Sequence, residues 1–95
     1  MNRSIRKWDF RKPKDFRKQV LNLPHSVRPK LTEVMTRLSN TDNPNLFGKK
    51  KTTRFGEYYT IKLSNSHRLA YAANFETHRI EVYRVGEHKL VYGKD

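Results

Sequence analysis

Ninety-five residues make a single domain, because a chain of this length hides only about two-thirds of its unfolded surface and can build one modest, two-layered core. Twenty-one Lys and Arg against nine Asp and Glu leave a formal charge of +12, an excess that repels itself in the compact state and whose usual partner is a polyanion, nucleic acid first. Cysteine is absent and the four histidines (His25, His67, His78, His88) are scattered, which sets aside disulfides, thiolate chemistry and a metal site, and the lack of a long apolar run or a signal-peptide core sets aside a membrane role and fits the cytoplasm.

Residues 4–10, SIRKWDF, alternate imperfectly at Ile5, Trp8 and Phe10 and read as a first strand. From Lys14 the period changes: Phe16, Val20 and Leu21 recur at helical spacing, and Pro24 ends that helix near Leu23. Ser26 is placed to cap a second helix whose Val27, Leu31, Val34, Met35 and Leu38 share one face, with Pro29 tolerated in its first turn. Residues 39–57, SNTDNPNLFGKKKTTRFGE, combine Asn, Asp, Pro and Gly with Lys49, Lys50 and Lys51 and read as a long loop, its lysines either solvated or set on phosphate. Residues 58–63, 67–73, 78–85 and 89–92 are rich in β-branched and aromatic side chains between short turns and read as strands. The expected architecture is α+β, one domain over residues 1–95: a helical hairpin packed on one face of a small twisted antiparallel sheet, in the order βααβββ plus a short terminal strand.

A three-residue loop at residues 64–66 pairs Leu63 with His67, Lys62 with Arg68, Ile61 with Leu69 and Tyr59 with Tyr71. That register sends Tyr59, Ile61, Leu63, Leu69, Tyr71 and Ala73 toward the helices and Tyr58, Thr60, Lys62, Arg68, Ala70 and Ala72 to the open face. Taking Phe75 and Glu76 as the next loop pairs Tyr71 with Ile80 and Leu69 with Val82, and sets Tyr83 beside Arg68, with Glu81 near Ala70. Like charges facing each other in a sheet are destabilising, so Lys62 beside Arg68 implies relief by solvent or by a bound anion. His67 falls toward the core side and reads as a packing residue.

In order and spacing, YYTIKL, HRLAY, IEVYRVG and the tail VGEHKLVY resemble the RelE/ParE superfamily of toxins from bacterial and archaeal toxin-antitoxin operons. Tyr59–Leu63 is similar to the second strand of RelE, His67–Tyr71 to the H-R-L-V-Y string of YoeB-like members, and the spacing of Gly86, His88 and Tyr92 to the YafQ-like tail. The resemblance implies the toxin of a type II system: a ribosome-dependent, metal-independent endoribonuclease that inhibits translation, with no cofactor, partnered by a cognate antitoxin and by mRNA and ribosomal RNA of the 30S A site. It also leaves open a gyrase-inhibiting member or an inactive RNA-binding one. Carried over by position, Arg68 is the phosphate clamp, Lys62 an added charge or base, His88 a proton-transfer group and Tyr92 a terminal aromatic that stacks on a base or positions a proton. Thr60 departs from the family, many of whose members have a lysine there. Lys49, Lys50, Lys51, Arg54, Arg11 and Lys12 are expected to hold RNA around that site.

Overall fold

The structure, a computed structural model, describes residues 7–89. The elements run β1 (Asp9–Arg11), α1 (Phe16–Leu21), α2 (Arg28–Ser39), a 3-10 helix (Pro44–Phe47), β2 (Lys49–Thr53), β3 (Gly56–Lys62), β4 (His67–Asn74) and β5 (Arg79–Glu87). The five strands form one sheet in the order β1-β5-β4-β3-β2. Pairing is antiparallel except between β1 and β5, which run parallel, so the sheet is mixed where an antiparallel one is expected. After β1 the two helices carry the chain to β2 at the far edge, and the antiparallel run β2, β3, β4, β5 brings it back across the sheet, so that β5 meets β1 in the same direction.

The helices cover one face. Leu23, Val27, Leu31, Val34 and Leu38 pack on Leu63, Leu69, Tyr71, Ile80, Val82 and Val85, with Trp8 closing the core. At the start of α2, Val27 takes the cap position in place of Ser26 and makes no side-chain bond. What fastens the helical hairpin is Arg28, which donates to the Leu21 and Leu23 carbonyls at 2.9 and 3.3 Å and so satisfies the end of α1.

The segment 39–57 is structured, contrary to its loop-like composition. Asn43 accepts from the Asn45 backbone at 3.1 Å and starts the 3-10 helix. Asn45 in turn accepts from the Ala73 backbone at 3.0 Å, and the Pro44 carbonyl accepts from the Tyr71 hydroxyl at 2.6 Å. The lysine run that follows is the edge strand β2, a placement that discourages pairing with other chains. Of the expected strand over residues 89–92 only Lys89 is described, with helical backbone like His88 before it, and the remainder, with Ile5 of the first strand and Tyr92, lies outside the described residues.

Candidate nucleic-acid interface on the open sheet face

The first hairpin has the expected register: Lys62 pairs with Arg68, Thr60 with Ala70, Ile61 with Leu69 and Tyr59 with Tyr71, closed by the Leu63 amide donating to the His67 carbonyl at 2.9 Å. The second is longer by two residues. Ala73 faces Ile80 and Tyr71 faces Val82, after which the register shifts between Ala70 and Tyr71 so that Ala70 faces Arg84, Leu69 faces Val85 and Arg68 faces Gly86. Tyr83 is therefore not beside Arg68, and Glu81 stands across from Ala72 rather than near Ala70. The shift is a β-bulge, which places one extra residue on the open side and preserves Val85 as core.

Rows now cross the sheet away from the helices. One reads Lys49, Thr60, Ala70, Arg84; the next reads Lys62, Arg68, Gly86. A third brings Lys51 opposite Tyr58 in one hairpin and Ala72, Glu81 and Arg11 in the other strands. The rings of Tyr58 and Tyr83 meet across β4 at 6.4 Å, edge to face. Alanine at positions 70 and 72 and glycine at 86 keep the middle of this face low, and a Cβ added at Gly86 would meet no heavy atom within 4 Å.

Arg68 is half-buried, and its Nη1 donates to the carbonyls of Ser64, His67 and Asn65 at 2.8, 3.1 and 3.4 Å. The turn's carbonyl dipoles thus offset its repulsion with Lys62 inside the chain, where solvent or an anion is the expected relief. One nitrogen held by the turn leaves the rest of the fork to face a ligand. Lys62 is exposed, and none of the ion pairs among the described residues reaches Lys62, Arg68 or Arg84. The His88 amide donates to the Ser66 carbonyl at 2.6 Å, and Asn65, Ser66, Glu87, His88 and Lys89 line a cavity of about 310 Å³. Arg68 and His88 are therefore fastened to the same turn from two strands' ends.

The other basic residues divide. Lys49 and Lys51 lie on the open face, whereas Lys50 falls on the opposite side of β2 and pairs with Glu57 at 3.3 Å. Arg11 reaches Glu81 at 3.8 Å at the far edge. Arg54 lies 5.6 Å from the centroid of the fully projecting Phe55 at the β2–β3 tip, and Lys12 lies 5.7 Å from that of Phe16. His67 accepts or donates at 2.9 Å with the Ser64 hydroxyl and lines a small cavity with Gln19, Asn22 and Leu23. Thr60 is buried beside the equally buried Ala70 in the middle of this face.

Sequence reasoning missed the place of Arg84. Alternation continued from Ile80 and Val82 puts residue 84 in the core, whereas after the bulge it pairs with Ala70 and lines the small cavity with Gln19, Asn22, Leu23 and His67. The signal is the spacing of Ile80, Val82 and Val85, two residues and then three.

No protein-family model matches the chain, nor does any curated protein sequence. Solved structures do. An E. coli RelE toxin in the free state, bearing two arginine substitutions, matches with a TM-score of 0.70 at 21% identity over 93% of each chain. A RelBE toxin-antitoxin complex from Mycobacterium tuberculosis matches at 0.69 and 19% identity, covering 86% of this chain and 99% of that one. The archaeal RelE–RelB complex from Pyrococcus horikoshii follows at 0.67 and 17%, covering 85% and 94%. With its paired helices on one face of a five-stranded mixed sheet, and nearly the full length of those chains matched, this protein has the RelE toxin fold.

Proposed function

We propose that this protein is the toxin of a type II toxin-antitoxin pair, a cytoplasmic endoribonuclease that cuts mRNA in the ribosomal A site until an antitoxin covers it. The observation that carries the reading is the placement of Arg68, Lys62 and His88 around one turn at the end of the basic sheet face opposite the helices. In metal-free cleavage the 2′-oxygen gives up its proton and bonds to the adjacent phosphorus. The bond to the 5′-oxygen breaks, that oxygen is protonated, and a 2′,3′-cyclic phosphate remains. Arg68, steadied by the turn, clamps the charge that builds on the phosphorus oxygens, and Lys62 adds to it. His88 moves a proton to or from the reacting oxygens, and Tyr92 stacks on a base of the message.

The surplus charge has a use in the same reading. Lys49 and Lys51 extend the face and Arg54, Arg11 and Lys12 lie toward its ends, with Lys50 on the other side of the edge strand, so ribosomal RNA would be gripped around the scissile step. Two of the matched structures are complexes of RelE with RelB or toxin with antitoxin, which supports an antitoxin as the protein partner.

Inducing the chain in cells and mapping new 5′ ends of transcripts tests the reading. Arg68→Ala should lower cleavage by about a hundred- to a thousandfold, the usual loss when one charge-stabilising donor is removed, and His88→Ala should also abolish growth arrest, both with unaltered circular dichroism. Undiminished cleavage by both variants, or inhibition of gyrase supercoiling with no cut ends, would overturn it.

A further inference from the structure

Inside the turn that closes the first hairpin, the Ser64 hydroxyl accepts from the Ser66 amide at 3.2 Å and lies 2.9 Å from Nδ1 of His67. A hydroxyl has a proton of its own to give, so with a neutral imidazole the bonds run from the Ser66 amide to the Ser64 oxygen and from there to the His67 nitrogen. The Ser66 N–H and the Asn65 carbonyl are opposite ends of one planar peptide. Holding the first on Ser64 therefore turns the second toward Arg68, whose Nη1 it meets at 3.4 Å. The same turn aims the Ser64 and His67 carbonyls at that nitrogen, at 2.8 and 3.1 Å, and offers the Ser66 carbonyl to the His88 amide. His67 is itself set by the fold: half-buried, it pairs with Glu87 across the ladder and lines the small cavity with Gln19, Asn22 and Leu23.

From this geometry we infer that Ser64 and His67 are positioning residues for the Arg68 guanidinium: the imidazole fixes the rotamer of the serine hydroxyl, the hydroxyl fixes the peptide between Asn65 and Ser66, and the carbonyls of Ser64, Asn65 and His67 fix Nη1. Neither side chain touches the message. The inference rests on the RNA-cleaving reading above and adds to it the part of the chain that holds the clamp still. A loose arginine samples several rotamers, and ordering it would oppose the reaction, whereas a fork already set needs no reorganisation as charge builds on the phosphate.

Two measurements test it. In magnetic resonance spectra of the protein with isotope-labelled arginine, an Nη1 held by carbonyls turns slowly about its bond to Cζ and gives resolved signals, assigned by their absence from Arg68→Lys. Ser64→Ala and His67→Phe should merge that signal with those of solvent-exposed arginines. Ser64→Thr, which keeps the hydroxyl, and His67→Asn, which keeps an acceptor near the place of Nδ1, should retain it. On ribosomes programmed with a short message, Ser64→Ala and His67→Phe should each slow single-turnover cleavage by about ten- to a hundredfold, with the half-saturating ribosome concentration unchanged, because the residues that grip ribosomal RNA are untouched. Added to Arg68→Ala, neither should slow cleavage further, since residues that act through one group do not add. A rate and an Arg68 signal indifferent to both substitutions overturn the inference, as does a loss of rate equally large in the Arg68→Ala background, or one that Ser64→Thr and His67→Asn fail to restore. Message cut in an Arg68-dependent way, with no effect of Ser64 or His67, keeps the nuclease reading and removes the anchor. An Arg68 signal that follows the substitutions in a parent protein that cuts no message keeps the anchor and removes the nuclease reading.

Discussion

Tyr71 shows how a single side chain can tie the core to the segment that leads into the edge strand. It is fully buried, on the face opposite Arg68 and one residue from Ala70, and its hydroxyl is spent on the Pro44 carbonyl. Burial pushes its phenol far above the ordinary value of 10.0, and the neighbouring Tyr59 adds to the rise. A proton held more tightly in the folded state gives stability that is full below the unfolded value of about 10 and is lost as pH climbs past it, because the unfolded chain then ionises and the folded one resists. Urea midpoints measured from pH 8 upward should fall above about pH 10, and Tyr71→Phe should flatten that fall while costing about 1 kcal/mol at neutral pH. Gly48 is matched to the same hydroxyl: a Cβ there would lie 2.6 Å from the Tyr71 oxygen and 3.0 Å from the Tyr59 Cβ. Gly48→Ala is therefore expected to destabilise by about 1–3 kcal/mol, measured in the same urea titration, since the obstruction includes backbone-fixed atoms that cannot swing aside.

β5 is the element on which fold and site meet. It pairs with β1 only over Arg79–Glu81, so its later half would be an open edge if α1 did not cover it. Gln19 makes the cover specific: its Oε1 accepts from the Val85 amide at 3.0 Å while its Nε2 donates to Asp15 at 2.9 Å. Held there, the strand presents Gly86 to the open face and delivers His88 to the turn. Gln19→Leu should cost about 1–3 kcal/mol by orphaning a buried amide, and hydrogen exchange should quicken first at Val85 and beyond, with β3 and β4 still protected. Sequence alternation located β5 but not its bulge, because a pattern of period two has no register of its own until the neighbouring strand fixes it. β2 was hidden for a different reason. Three lysines and two threonines carry no apolar alternation, and only pairing with β3 makes that stretch a strand.

At the scale of the whole molecule, a charge of +12 on 95 residues acts against folding and for binding at once. Raising salt from about 0.01 to about 0.15 M shortens the Debye length from roughly 30 to 8 Å, so the melting temperature should rise over that range by relief of self-repulsion while, on the proposed reading, affinity for RNA falls. A melting temperature that is flat with salt would mean that the cations are already neutralised within the chain. The amino-acid sequence by itself determined that one basic domain exists, that its helices precede its main strands, and which side of the first hairpin faces water, because hydrophobic burial at period 3.6 or 2 is written locally. The register of that hairpin set Lys62 beside Arg68, whereas His88 stood out only through the resemblance to known toxins. Only the tertiary structure decided the parallel pairing of β1 with β5, the edge strand inside a loop-like segment, the anchoring of Arg68 on its turn and the bulge that pairs Arg84 with Ala70. Each of these depends on which backbone groups find partners far along the chain, and hydrogen-bond pairing between distant segments leaves no mark on the periodicity of either.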